Sequence, residues 1–594
     1  MGLKMYDLIL KEGQIVDTRS KRIFKGDILI KDGFIVGIKS GTKESARKTF
    51  DLFGKYVSPG FIDSHLHIES SLLNPIEFSK EAVKHGTTVI FVDPHEIANV
   101  SGRKGIELFL KQSDLLPLDM FIGIPSCVPA TSLESAGASI SVEDVKELIS
   151  DRRVYGLAEM MNFPGIIHGF GDAREKVEIA FNAGKIVDGH CPGVSGEDLI
   201  KYITNGRNDN VVRISSDHES TQLDEVIEKH NLGMHLCLRY GSATKDLERI
   251  LPGLIKAKFN LERFMLCSDD LDSVDLCEKG HVDRIIKRAR DIIRENSATG
   301  LEEATLIAIS LATINPARYF SKALKLNGYP EMGEVAAGRR ANIIVLDSLE
   351  GLEIDKVIHN GALVVDNKKY VGRQLDYNYS DFLGKVNIGR KFLPDDFKIR
   401  VPAEKAYLDV RVDVRVIEIV KGSIVTKQSI LPFGAHNNEL RADPEKDIAK
   451  IAVIERHKGT GAFSVGFVKG LGLKKGAIAS TVSHDSHNLI VAGVEDECLA
   501  KAVNYLAQEG GGMVVVADRI SYLPLKISGL MSTESAESAV KKHEDLKDAV
   551  KGMGLGLETV FMTMSFLALP VIPELRITDK GLVDVNQFKI VSLY

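Results

Sequence analysis

Tryptophan is absent from the 594-residue chain, and cysteine is scarce, with six residues. Those six, Cys127, Cys191, Cys237, Cys267, Cys277 and Cys498, include no CxxC pair and fall far below the density of a secreted disulfide scaffold. They read as reduced thiols of a cytoplasmic protein. No apolar run approaches the ~20 residues that span a bilayer, so a membrane partner is not expected. The opening MGLKMYDLILKEGQIVD carries charges inside its apolar stretch and lacks a small-residue cleavage site, and it does not read as a signal peptide. An excess of either charge is missing too. Against 82 acidic residues stand 76 basic ones, a net of -6 with no long basic run or acidic tail, and nucleic acid is not expected as a partner. Low-complexity tracts and short-period repeats are not found, and 44% hydrophobic with 27% charged residues excludes disorder.

What is present is enough length for several cores, since domains usually run ~100 to 200 residues. From Tyr6 to Lys39, short alternating runs are broken by Gly13, Gly26, Gly33 and Gly37, the texture of small strands and tight turns. The same texture returns in GEVAAGRRANIIVLD and KVIHNGALVVDN, so one β domain split by an insertion is expected. Inside the insertion, segments of helical period separate eight short apolar runs: FIDSHLH, TTVIFVDPHE, DMFIGIPS, VYGLAEMM, KIVDGHCP, VVRISSDHE, GMHLCLRYG and RFMLCSDD. Wholly apolar runs joined by crossovers mark buried parallel strands, and eight is the count of a (β/α)8 barrel. The expected fold class is therefore α/β, with a TIM-like barrel over residues 56–325. Residues 1–55 and 326–372 are expected to form a small composite β-sandwich. Residues 373–594 are expected to form an additional C-terminal α/β domain, with hairpin-like runs such as LDVRVDVRVIEIVKGSIVT near its start.

Most of the eight runs end in a residue that binds metal or moves protons, and that end of a barrel is where active sites lie. His65 and His67 flank one residue at a strand end, so both rings project to one face and can share an ion. An HxH pair alone also fits hydrogen-bonded core histidines, but here it has company. Glu159 closes the fourth run, His190 the fifth, His218 the sixth and Asp269 the eighth, and imidazole with carboxylate is what Zn, Mn or Fe(II) take. Glu96, at the end of the second run, either caps a helix or carries a proton, and His95 is either an alternative carrier or a partner of a ligand. Either carboxylate of CSDD, Asp269 or Asp270, can reach a metal. Asp217 and Glu219 flank His218 and read as supports, while for Arg239 and Ser242 substrate contact and a structural role stay open. His484, Asp485 and His487 in SHDSHNLIVAG form either a polar turn or a group that holds metal or overhangs the barrel mouth. The glycine strings GLGLKKG and QEGGGMV lack the spacing of a phosphate loop. His67 and Glu69 imitate the HxE of the cytidine deaminase class, but the PCxxC that class requires is missing.

PGFIDSHLHIES, followed by single histidines on two later strands and a final aspartate, resembles the amidohydrolase superfamily. TINPARYFSKALKLNGYPEMGEVAAGRRANIIVLD is similar to that superfamily's closing helix and return strand. Many members bridge two metals with a carboxylated lysine on the fourth strand, whereas VYGLAEMMNF offers Glu159 and no lysine. The ordered set DPHEIANV, AEMMNFPG, DGHCPG, SSDHES and CSDD, with GGGMVV in a large C-terminal domain, resembles the adenine deaminase family over essentially the whole chain. That resemblance implies a binuclear site with His65, His67, Glu159, His190, His218 and Asp269 as ligands and Glu159 bridging. It implies two divalent ions per chain, Mn(II) or Fe(II) with Zn as a further option. Glu96 would be the proton shuttle in a hydrolytic conversion of adenine to hypoxanthine and ammonia, a step of purine salvage. A homo-oligomer is expected. Two alternatives remain: a hydrolase of the same superfamily acting on a cyclic amide or another amino-heterocycle, and a non-catalytic barrel scaffold, against which the full ligand set speaks.

Overall fold

The computed structural model describes residues 5–242, 244–401, 411–421, 423–554 and 559–594. Residues 408–410 and Gly422 of the expected hairpin run lie outside the described residues. Each of the eight apolar runs contains a strand: Phe61–Leu66, Thr87–Val92, Asp119–Ile124, Val154–Met160, Ile186–Gly189, Ser216–Asp217, His235–Arg239 and Phe264–Cys267. All pair in parallel, the first five in one sheet and the last three in another. Two contacts curl the sheets into a TIM-like barrel. The Ser215 amide donates to the Val187 carbonyl at 3.0 Å, and Asp269 beyond the eighth strand bridges back to Leu66 of the first.

Burial follows from the connections. Helices packed outside and side chains packed inside leave neither strand face to water, which is why the first four strands are buried at every position. Gly156 serves close strand approach, since a Cβ there would lie 1.9 Å from the Ile186 carbonyl oxygen. One run departs from expectation. VVRISSDHE reads as a full strand, but only Ser216 and Asp217 are one. The amides of Arg213 and Ile214 donate instead to the Ile203 carbonyl, at 2.7 and 3.1 Å, so the chain closes the end of the preceding helix before it enters the barrel.

A nine-stranded sheet gathers segments from both sides of the barrel. Tyr56–Pro59 pairs in parallel with Tyr6–Asp17 and antiparallel with Ile343–Leu346. Further on, an eight-stranded sheet has Ile448–Ile454 near its centre and the helix Asp496–Glu509 on one face, where Leu499, Val503 and Leu506 pack against Ala452 and Ile454. This C-terminal part sits directly on the barrel: Asn74 Nδ2 donates to the Ser532 carbonyl at 3.0 Å, Ser101 Oγ meets Ser528 Oγ at 2.9 Å, and Thr578 Oγ1 donates to the Leu133 carbonyl at 2.7 Å. Among the described residues no helix is long and apolar enough to cross a membrane.

Candidate metal centre

The strand ends set the geometry. His65 lies in the first strand and His67 one residue past it, while Asp63 steadies the turn by accepting from the Ser268 amide at 3.1 Å. Asp269 follows the eighth strand with φ of +56°, in the left-handed region that aspartate tolerates better than most residues. That conformation lets its amide donate to the His65 carbonyl at 3.1 Å and its carbonyl accept from the His67 amide at 3.3 Å. Its carboxylate then turns into the barrel mouth, 3.6 Å from His65 Nε2 and 3.4 Å from His67 Nε2.

Glu159 stands at the centre. Its Oε2 lies 2.7 Å from His190 Nδ1 and 2.9 Å from His218 Nε2, while Oε1 lies 3.9 Å from His67 Nε2 and 3.2 Å from His95 Nδ1. The six residues expected as ligands are thus brought together, and five of them, His65, His67, Glu159, His218 and Asp269, are buried. Burial opposes charge on Glu159, yet the facing imidazoles of His190, His218 and His95 hold its carboxyl well below the ordinary carboxylate range. Asp269 is likewise held low against its burial, by Arg239 and then His67.

This donor set fits divalent metal. The Nε2 atoms of His65 and His67 face each other at 3.3 Å, where a neutral pair can share one proton at most, and His218 Nε2 is buried against the Glu159 carboxylate at 2.9 Å. Convergent lone pairs of this kind suit a cation. The groupings whose ligand atoms lie within 4.8 Å of one another include His65, His67 and Asp269; His65, Glu159 and His218; His67, Asp93, His95 and Glu159; and His190, His218 and Glu219.

Around this centre the remaining candidates separate. Asp270 points away from the histidines and accepts from Ser70 Oγ at 2.5 Å, so the first carboxylate of the pair faces the ligand set. Arg239 binds Asp269 at 3.0 Å and Asp246 at 2.8 Å, and also meets Glu219, which makes it an ion-pair partner of the site. Ser242 donates to Asp275 at 2.9 Å. Glu96 is fully buried and accepts from Ser70 Oγ at 3.0 Å. It does not cap its helix His95–Ser101: Glu69, from the first strand's loop, accepts from the Ile97 amide at 3.1 Å. Burial and then the Glu69 carboxylate raise the Glu96 carboxyl well above its usual range.

Sequence reasoning missed two supports. Glu69 drew notice only as a false HxE, and Lys229 drew none, because a lysine in an amphipathic helix looks like a solvated side chain. Lys229 is in fact fully buried, donating to the Cys191 carbonyl at 2.8 Å, Asp217 at 3.1 Å, Ser220 at 3.0 Å and Glu225 at 2.7 Å. Asp217 in turn accepts from the Cys191 amide at 2.9 Å, so one ammonium ties together the loops that carry His190 and His218.

From the C-terminal part, His484, Asp485 and His487 reach the same place. His484 Nδ1 lies 3.6 Å and His487 Nε2 3.7 Å from the Glu96 carboxylate, and Asp485 Oδ1 lies 3.8 Å from His95 Nε2. His484 and Asp485 line a cavity of about 690 Å³ whose barrel wall includes His67, Glu159, His190 and Asp269.

A parallel barrel that gathers histidines and carboxylates at its strand ends defines the amidohydrolase class, and the amidohydrolase family model matches residues 56–364. The adenine deaminase C-terminal domain model matches residues 423–589. The chain belongs to the adenine deaminase family. It is 40% identical over 590 residues to the adenine deaminase of Desulfatibacillum aliphaticivorans, covering 99% of this chain and 97% of that one. It is 40% identical over 601 residues to adenine deaminase 2 of Carboxydothermus hydrogenoformans, covering 100% and 98%. With the adenine deaminase of Methanococcoides burtonii the identity is 40% over 593 residues, covering 99% and 95%.

Proposed function

We infer that this chain is a metal-dependent adenine deaminase, hydrolysing adenine to hypoxanthine and ammonia. The observation that carries the reading is the clustering of four imidazoles and the Asp269 carboxylate around Glu159 at one cavity, which His67, His190, Asp269 and Glu159 line, in a chain alike to adenine deaminases from end to end. His65, His67, His190, His218, Asp269 and Glu159 would hold two divalent ions, Mn(II) or Fe(II) before Zn, and the two Glu159 oxygens face different histidines. Such ions supply a hydroxide nucleophile at neutral pH by lowering the pKa of water.

The chain's own groups do the rest. Glu96 moves the proton. Its carboxyl is held above the usual range by burial and by Glu69, the direction that favours holding a proton for delivery. Delivering that proton to the exocyclic amine turns a poor leaving group into ammonia. Ser70, which donates to both Glu96 and Asp270, keeps the Glu96 carboxyl in place. Arg239 fixes the Asp269 carboxylate by holding its second oxygen.

The domain division that goes with this reading is residues 1–55 with 326–372 as a composite β domain, 56–325 as the barrel and 373–594 as the C-terminal domain. The test is reconstitution with Mn(II) or Fe(II), followed by loss of adenine absorbance and release of ammonia against a metal-free control. Parallel assays on cyclic amides and other amino-heterocycles complete it, and turnover of one of these without turnover of adenine would overturn the substrate assignment.

A further inference from the structure

Asp485 belongs to the C-terminal domain, yet it is buried and borders the barrel's cavity. Its Oδ1 is 3.8 Å from both His95 Nε2 and His484 Nδ1, beyond hydrogen-bond reach, and its Oδ2 finds no hydrogen-bond partner among the described residues. A buried carboxylate without partners is expensive, so its persistence beside a cavity calls for a ligand that supplies a donor.

The segment around it is built to hold still. The buried Arg456 guanidinium donates to the carbonyls of His487 and, at 3.2 Å, Thr481, on either side of Asp485. Ser565 Oγ accepts from the His484 amide at 3.1 Å, and the His487 amide donates to the Ser483 carbonyl at 2.7 Å. The His484 ring lies flat against Phe566, with centroids 4.9 Å apart, which gives the cavity an aromatic wall next to the carboxylate. A rigid acceptor beside a flat wall suits a planar heterocycle with a ring N–H.

Resting on the adenine reading above, we propose that Asp485 is the residue that recognises the substrate's imidazole ring, accepting a hydrogen bond from its single N–H. The chemistry leaves little else. A carboxylate only accepts. Free adenine offers two kinds of N–H, the exocyclic amine, which must face the proton donor Glu96, and one ring N–H on the five-membered ring. The remaining ring nitrogens are acceptors and would meet Asp485 unfavourably. A nucleoside has no ring N–H, because that nitrogen carries the sugar. Asp485 thereby selects the free base, and leaving it unpaired is what would reject the glycosylated one.

The experiment compares the metal-loaded full-length chain with Asp485→Asn. The probes are 7-deazaadenine, which keeps a ring N–H, and the furopyrimidine isostere in which oxygen replaces that group without added bulk. Binding of both is measured by calorimetry, alongside kcat and KM for adenine, metal content and melting temperature. Expected in the unsubstituted chain is at least tenfold tighter binding of the N–H compound. In Asp485→Asn that preference should collapse to about threefold or less, with KM for adenine up ~10- to 100-fold, kcat changed far less and both ions retained.

Equal binding of the two probes by the unsubstituted chain overturns the proposal, whatever happens to turnover. A kcat loss in Asp485→Asn with an unchanged KM, an intact probe preference and a displaced pH profile overturns it as well, and makes Asp485 a positioning residue for His95. If adenine is not turned over but the N–H preference is present and lost in Asp485→Asn, the deaminase reading falls while the assignment of Asp485 stands.

Discussion

The barrel's strand ends and the Ser483–Asn488 segment both bring imidazoles and carboxylates to one cavity, but they present them at different spacings. On the barrel, Glu159 has four histidine nitrogens between 2.7 and 3.9 Å away, and the His65 and His67 nitrogens face each other at 3.3 Å. On the segment, His484, Asp485 and His487 stand 3.6 to 3.8 Å from Glu96 and His95, and Asp485 keeps an oxygen without a partner among the described residues. Residue type alone does not separate the two surfaces; they differ in their closest pairs, 2.7 and 2.9 Å at Glu159 against 3.6 Å or more from the segment to Glu96 and His95.

The sharpest attempt to break that distinction is Glu159→Gln. The amide keeps the shape but makes a poor bridge between cations, so kcat should fall by about 10³-fold or more and metal content should drop with it. Full metal occupancy with normal turnover would move Glu159 to a structural role. Next comes Glu96→Gln, which lies where the two surfaces meet. Here kcat should fall ~10² to 10⁴-fold while metal content, fold and KM hold, since the amide cannot carry a proton. Near-normal kcat in a fully metallated sample would pass the shuttle role to His95, whose Nδ1 is 3.2 Å from Glu159.

Lys229→Met probes the barrel side from behind. Removing the ammonium leaves Asp217 buried and unpaired, and the loops bearing His190 and His218 lose their common tie. Chelator titration should show metal affinity reduced ~10- to 100-fold, and chemical denaturation a stability loss of about 3 to 5 kcal/mol. Unchanged affinity in a folded sample would mean that those loops are fixed by other contacts.

The effect confined to acid conditions concerns the C-terminal side. Burial, then the neighbouring Arg456, pulls the His457 imidazole down to about 3, and its Nε2 meets the Ser486 carbonyl at 2.7 Å. A histidine depressed in the folded state takes up its proton more readily when unfolded. Its contribution is therefore complete above the ordinary value near 6.5 and is lost as pH falls from there towards 3, by about 1.4 kcal/mol per pH unit. His457→Gln should flatten the acid limb of a stability-against-pH curve by that slope, and an unaltered limb would assign it to other groups.

Much of this was legible in the order of residues because a parallel barrel writes itself in apolar runs, and the end of each run is the end of a strand. That His65, His67, Glu159, His190, His218 and Asp269 stand at strand ends is legible that way. The sixth strand was overcalled because Val211, Val212 and Ile214 look like strand residues, while the pairing of Arg213 and Ile214 with Ile203 depends on where the preceding helix stops. Lys229 and Glu69 stayed hidden because a buried charge is recognisable only by its partners, and those come from other loops. The SHDSHN segment could be read as polar but not placed, since nothing local tells which surface a domain will cover.

The left-handed turn at Asp269 makes the last strand of the barrel reach back to the first, with His65 on one edge of the seam and the Asp269 carboxylate on the other. An ion that takes ligands from both edges binds the closed ring and has no counterpart in a chain whose ring is open. Its affinity is then mechanical as well as chemical: free ion at 100 times the dissociation constant adds about 2.7 kcal/mol to the work of parting that seam. With His65 and Asp269 as ligands, metal supply in the surrounding medium would set how firmly this barrel stays shut.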